Sequence, residues 1–468
     1  MAAAPSTVGP LPYSGCMPIA DPTPEQLALL QDEAVQFTRE LIRINTTNFG
    51  GNDPAAWGNG EAEAAAYVIE KLRDVGLHPQ TFDSAPGRTS VICRIDGEDP
   101  DRPGLVLHGH LDVVPARAED WSVDPFAAEI RDGMIWGRGA VDMKDMVGMI
   151  LALARHLART GQKPPRDVVL GFFADEENGS VWGAQWLVDH HPELFAGCTE
   201  AISEVGGYSI TLPEQATGEN IRAYLLQTAE KGIAWGRLRA TGRAGHGSVP
   251  NDENAIVRLA RAILAIDAHE FPIEMVASVR ALFDGVTEIT GTGWDPDDLD
   301  AFLPLMGGAR QFVTGTLRDT ANLTTLNAGY KGNVIPQTAE AAFDCRFLPG
   351  HKDDLLALLD ELSGEHVEVI VDHLGPSLDA PADGPLVDAM TAAIQAEDPG
   401  ARVLPYCLSA GTDNKPLSVL GIAGYGFAPL QLPAGLDFAP MFHGVDERVP
   451  VDAVRFGARV LLRLIRDI

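Results

Sequence analysis

The residues best placed for chemistry start with His110 and Asp112 in the run Leu107-His108-Gly109-His110-Leu111-Asp112-Val113-Val114-Pro115. Alternation along a strand sends both side chains to one side. An imidazole with a carboxylate two residues on reads as a metal ligand beside the group that orients it. Taken alone, such a pair is more often packing than chemistry. A second carboxylate, Asp142, stands where a glycine-containing loop gives way to a helical apolar pattern (Met146, Val147, Ile150, Leu151), and its bland reading is a helix N-cap. The strand-like run Val168 to Ala174 ends in Asp175-Glu176-Glu177. Three adjacent carboxylates repel, so a positive group is expected nearby, with a solvated loop acid as the alternative for Asp175. Glu204 precedes glycines in Ser203-Glu204-Val205-Gly206-Gly207, and Phe442-His443-Gly444 supplies a second imidazole. Two imidazoles and several carboxylates suit a pair of zinc-like ions.

Taken in order, His108 to Pro115, Gly137 to Asp145, Ala174 to Gly179, Ser203 to Gly207, Gly245 to Pro250, Asn333 to Arg346, Gly411-Thr412-Asp413 and His443 to Val449 resemble the di-zinc aminoacylase/carboxypeptidase family. That family includes acetylornithine deacetylase, succinyl-diaminopimelate desuccinylase and glutamate carboxypeptidases, and the resemblance covers nearly the whole chain. Ala229-Glu230-Lys231-Gly232 together with Asn322 to Gly329 is most similar to the N-acyl-amino-acid hydrolase and carboxypeptidase S branch. The resemblance implies two Zn²⁺ per chain, with Co²⁺ or Mn²⁺ as substitutes. His110, Asp142 and Glu204 would hold one ion and Asp142, Glu177 and His443 the other, Asp142 bridging through a cis bond to the next residue. Asp112 would orient His110. Glu176 would act as general base on a water whose pKa the metals lower from about 15.7 toward ~7; its bland reading is an outer, solvent-facing acid.

The resemblance also implies that His246, in Gly245-His246-Gly247-Ser248, stabilises the oxyanion, often from a partner subunit. Asn333 and Arg346 would hold the substrate's carbonyl and carboxylate, and Gly411 would offer a backbone donor, since glycine permits close approach. The residues alone leave other readings open: His246 as a loop residue, and Arg346 as an ion pair with Asp344 on the same strand face. The implied function is a zinc-dependent amidohydrolase that frees an amino acid from an N-acyl amino acid. A metallo-carboxypeptidase or dipeptidase would use the same site. A metal-free binding protein on the same fold would lack a ligand or the base, and none is missing.

Length and composition fit a large enzyme. At 468 residues two domains are the expectation. Acids outnumber bases by 66 to 35, for a net charge of −31, which disfavours nucleic acid and anionic membrane surfaces as partners. The cysteines (Cys16, Cys93, Cys198, Cys345, Cys407) show no paired spacing, so reduced thiols and a cytoplasmic protein are expected. The proline-rich residues 1–24 read as an extended arm rather than a signal peptide. No apolar run reaches the ~18 residues that suggest a membrane span.

Helical and strand patterns alternate over 25–229, with a helix at 61–75 and strands at 91–95, 105–111 and 168–173, which predicts an α/β fold with a mostly parallel sheet. Sites in such folds lie outside the carboxyl ends of the strands. The pattern then becomes β-α-β-β-α-β over 230–375, a ferredoxin-like lid and dimerisation module inserted into the catalytic domain, and 376–468 returns to that domain. Within the module, 271–320 is a connection too apolar for disorder. It is expected to line an acyl pocket, to extend the module core or to cover a subunit surface. A homodimer through the lid is the implied assembly.

Overall fold

The computed structural model describes residues 21–51, 58–215 and 217–468; the arm expected over 1–24 lies almost entirely outside them. The central sheet runs Gln80–Ala85, Arg88–Ile95, Val168–Phe173, Gly104–His110, Cys198–Ser203, Ala423–Gly426, Asn220–Glu230 and Leu378–Asp379. Arg402–Leu408 and Ser209–Pro213 also pair with Asn220–Glu230. Its middle is parallel: Gly104–His110 lies between Val168–Phe173 and Cys198–Ser203, and Ala423–Gly426 continues the set.

Burial on both faces explains why Val168–Phe173 and Gly104–His110 read as unbroken apolar runs. Val91, Leu105, Leu107, Val168, Leu170 and Phe172 face the main core. Their alternates Ile92, Val106, Val169 and Phe173 face a second core with Leu187 and Leu417. The main core is covered by the Pro24–Arg43, Lys144–Thr160 and Val451–Asp467 helices, which pack on one another. The first of these begins at a capping box, in which Thr23 and Gln26 satisfy each other's main-chain N–H groups.

The module forms a separate antiparallel sheet in the order Thr320–Ala328, Thr338–Phe347, Gly232–Thr241, Val367–Gly375. The Ala255–Asp267 and Lys352–Ser363 helices cover it, and the pair encloses its own core around Leu238, Leu259, Phe343 and Leu355. This is the expected β-α-β-β-α-β order. The segment 271–320 departs from expectation. Rather than extending the module core, it turns back: the Ala277–Thr290 helix packs on Arg402–Leu408, and Val279, Leu282, Phe283, Val286, Phe302 and Met306 join the main core. Gly285 permits that approach, because a Cβ there would stand 2.4 Å from Leu404 Cδ2. Helical spacing in the sequence shows that a face is apolar, not which surface covers it.

Among the described residues, Cys93, Cys198, Cys345 and Cys407 are free buried thiols. No helix among them is long and apolar enough to cross a membrane.

Candidate metal centre

Three neighbouring parallel strands deliver the acids and one imidazole. His110 is the last residue of Gly104–His110, Glu176 and Glu177 follow Val168–Phe173 after a two-residue turn, and Glu204 follows Cys198–Ser203. Their side chains meet because adjacent parallel strands end at the same level. His110 Nε2 stands 3.0 Å from Asp142 Oδ1 and 3.5 Å from Glu204 Oε2. On the other side of Asp142, Oδ2 is 3.3 Å from His443 Nε2, which is itself 3.0 Å from Glu177 Oε2. Ligand atoms of His110, Glu176 and Glu204 lie within 4.8 Å of one another, as do those of His110, Asp142 and Glu177.

Asp142 is not a helix cap. The Lys144–Thr160 helix starts after it, with Met143 at the cap position and no side-chain capping bond, and the Asp142–Met143 peptide is cis, as expected. Glu447 holds the approach: its carboxylate accepts the N–H groups of Gly139, Val141 and Asp142 and pairs with Arg138 at 2.7 Å.

Asp112 lies beyond the strand end, so strand alternation does not place it. His110 Nδ1 is 3.0 Å from the Asp112 main-chain carbonyl and 3.6 Å from its carboxylate. The carboxylate also accepts the N–H groups of Glu176 and Glu177 and the amide of Asn48. It therefore fixes the turn that carries the two glutamates. The solvated reading of Asp175 is overturned: it is fully buried, accepts from Asn48 and the Trp182 N–H, and lies 3.3 Å from the buried guanidinium of Arg88, the expected positive group.

Electrostatics show what the nest of charges favours. Burial raises the Glu176 carboxyl well above its usual range and the charge on Glu204 adds to this, against a pull from His110. Burial and Asp142 push Glu177 to about 7, against the hydrogen bond from His443. Burial opposes charge on Asp142, yet hydrogen bonds from His110 and His443 hold its carboxyl below the usual range. Hydrogen bonds to Asp142 and Glu177 lift His443 to about 10. Four acidic side chains thus converge on two imidazoles, and Glu177 Oε1 is buried without a hydrogen-bond partner. An orphaned carboxylate oxygen among imidazole and carboxylate donors is the donor set of a divalent cation pair, so the residues fit the metals that the resemblance implies.

A cleft of about 210 Å³ opens from these groups toward the module, lined by Glu176, Glu177 and His443 on one side and Trp235, Arg346 and Gly411 on the other. Arg346 is forked onto Asp344, at 2.6 and 3.0 Å, while still lining the cleft, so the ion-pair reading and a place in the cleft both hold. His246 and Asn333 are not brought to the cleft. They sit at an exposed two-stranded ribbon of the module, formed by Gly245–His246 and the distant Val334–Ile335, where the Gly247 N–H donates to the Asn333 carbonyl and His246 Nδ1 meets Ser248 Oγ.

Asn48, Arg88 and Glu447 were not singled out from sequence. Glu447 lay inside a stretch noted for its histidine, which was a usable signal; Asn48 and Arg88 carry no local motif.

Comparison with known proteins agrees with this geometry. The model of peptidase family M20/M25/M40 matches residues 106–467. The chain is 28% identical over 456 residues to the N-fatty-acyl-amino acid synthase/hydrolase PM20D1 of Xenopus tropicalis, covering 93% of this chain and 86% of that one. It is 29% identical over 430 residues to a probable carboxypeptidase S-like 2 of Dictyostelium discoideum, with coverages of 90% and 82%. It is 28% identical over 443 residues to aminoacylase-1 of Pongo abelii, with coverages of 92% and 94%. The solved M20 metallo-carboxypeptidase Sso-CP2 of Sulfolobus solfataricus shares the fold, with a TM-score of 0.66 at 18% identity over 93% of this chain and 99% of that one.

Proposed function

The chain belongs to peptidase family M20/M25/M40 and is a metallohydrolase of amide bonds, and on that premise we propose that it is a two-zinc amidohydrolase that frees an amino acid from an N-acyl amino acid. The observation that carries this is Asp142 standing between His110 and His443 with one carboxylate oxygen toward each. His110, Asp142 and Glu204 would hold one cation, and Asp142, Glu177 and His443 the other. When bound, the pair lowers the pKa of a shared water toward ~7 and polarises the scissile carbonyl.

The chain's own residues do the rest. Glu176 takes a proton from the attacking water and returns it to the leaving nitrogen, and its raised carboxyl suits both halves of that transfer. Asp112 holds the Glu176 and Glu177 N–H groups and so aims the two adjacent acids apart. Arg346, with the Gly411 main chain beside it, grips the substrate's free carboxylate across the cleft.

His246 and Asn333 would complete the site from a second copy. The Thr320–Ala328 strand is an edge of the module sheet, and Leu326 on it and Tyr330 just after it are exposed at 64 and 82%. An open edge flanked by apolar groups suits strand pairing in a homodimer. A carboxypeptidase acting on C-terminal residues would use the same groups, and one relative bears that name. The test is release of free amino acid from N-acetyl, long-chain N-acyl and dipeptide substrates. Turnover of N-acyl amino acids above dipeptides supports the reading, and turnover of dipeptides alone replaces it with the peptidase.

A further inference from the structure

The segment 271–320 has no role in the reading above, yet one of its residues reaches the loop that carries His443. Phe312, on the short Arg310–Thr314 helix, packs edge-on against Phe442 with ring centroids 5.5 Å apart. Phe442 also meets Phe438 edge-on at 5.5 Å, and Phe438 lies 5.1 Å from Tyr208. The residue between this aromatic cluster and the acids is His443. Its backbone has a φ of 56°, a left-handed conformation that a non-glycine residue keeps only when its surroundings hold it. After His443 the hold is polar: Arg138 donates to the carbonyls of His443 and Gly444. Before it the hold is the Phe442 ring, seated between Phe438 of its own loop and Phe312 of the distant segment. The His443 side chain is itself 58% exposed, so the fixing comes from the loop on either side and little from packing of the imidazole.

We propose that Phe312 is a positioning residue: through Phe442 the segment 271–320 sets His443 for the second cation, so this segment tunes metal affinity rather than lining an acyl pocket. The inference rests on His443 being a ligand, as proposed above. Outer groups that orient a ligand typically change metal affinity by about 10- to 100-fold when removed. Removing the Phe312 ring should therefore weaken the second zinc and leave the first, which does not use His443.

The experiment is calorimetric titration of cation-free full-length protein with zinc, for wild type, Phe312→Ala, Phe312→Tyr and Phe302→Leu. Phe302 belongs to the same segment, but its ring packs on Phe283. The expected result is two binding events in wild type, a second event weakened about 10- to 100-fold in Phe312→Ala, recovery in Phe312→Tyr and no change in Phe302→Leu. Equal second-site affinity in Phe312→Ala and wild type would overturn the proposal, as would equal weakening by Phe302→Leu, which would mark a general loss of packing. If Phe312→Ala does not fold, Phe312→Leu is read by the same criteria. A wild type that takes up one zinc defeats the two-zinc reading itself, an outcome distinct from a Phe312 effect that is absent in a two-zinc protein.

Discussion

His110 Nε2 stands 3.0 Å from Asp142 Oδ1, and the second oxygen of the same carboxylate is turned 3.3 Å from His443. In the proposed site this carboxylate would serve both cations, whereas Glu204 and Glu177 would each serve one. Asp142→Asn is therefore expected to lower zinc content at both positions, and Glu204→Gln or Glu177→Gln at one each. Metal analysis of the purified variants checks this. Retention of one full equivalent in Asp142→Asn would remove the bridging role.

In the proposed mechanism the neighbours Glu176 and Glu177 have different tasks. Glu176→Gln is expected to keep both zinc ions while turnover falls by about 10²- to 10⁴-fold, the usual effect of losing a general base. Parallel measurement of metal content and kcat decides it, and near wild-type kcat in Glu176→Gln would reassign the base.

Without cations, the acids around the two imidazoles favour their protonated forms. Hydrogen bonds to Asp142 and Glu177 lift His443 to about 10, and although burial opposes its charge, Glu204 and the other acids raise His110 well above its usual value. Both imidazoles must lose a proton to bind metal. Zinc binding near neutral pH should release protons, and apparent affinity should rise with pH toward the His443 value. Calorimetry in two buffers of different ionisation enthalpy measures the release; a heat independent of buffer would show neutral imidazoles.

Glu447 is buried, pairs with the 3% exposed Arg138 and accepts three main-chain N–H groups around Asp142. Glu447→Ala leaves that guanidinium and those donors without their partner, at a cost of about 3–5 kcal/mol in stability. Denaturant unfolding of the cation-free protein gives the value, and a loss under about 1 kcal/mol would mean water replaces the carboxylate.

Arg346 lines the cleft and is proposed to govern substrate choice. With wild-type protein, kcat/KM for an N-acyl amino acid should exceed that for its C-terminal amide by a factor equivalent to about 2–5 kcal/mol, the scale of a truncated buried charge pair. Arg346→Ala should level the two while leaving zinc bound. Equal wild-type rates would leave Arg346 as the partner of Asp344 alone.

Much of this was legible because the chemistry sits where periodic segments stop. The apolar runs at 104–110 and 168–173 announce buried parallel strands, and polar residues at their ends stand out against them. The β-α-β-β-α-β module was legible for the same reason. Long-range polar contacts left no such trace: Arg88 reaches Asp175 and Asn48 reaches Asp112 only once the sheet has formed. Asp112 comes to His110 as expected, at 3.6 Å, although the strand ends at His110 and loop geometry rather than strand alternation carries it there. The segment 271–320 showed its apolar face but not its destination, since both the module and the main core offer apolar surface.

The most direct measurement is activity on an N-acyl amino acid as cation-free protein is titrated with zinc. A two-cation site predicts activity that keeps rising until two equivalents per chain are bound, with Glu176→Gln taking up the same two equivalents while its turnover stays about 10²- to 10⁴-fold lower. Full activity at one equivalent, or activity that survives exhaustive chelation, would contradict it.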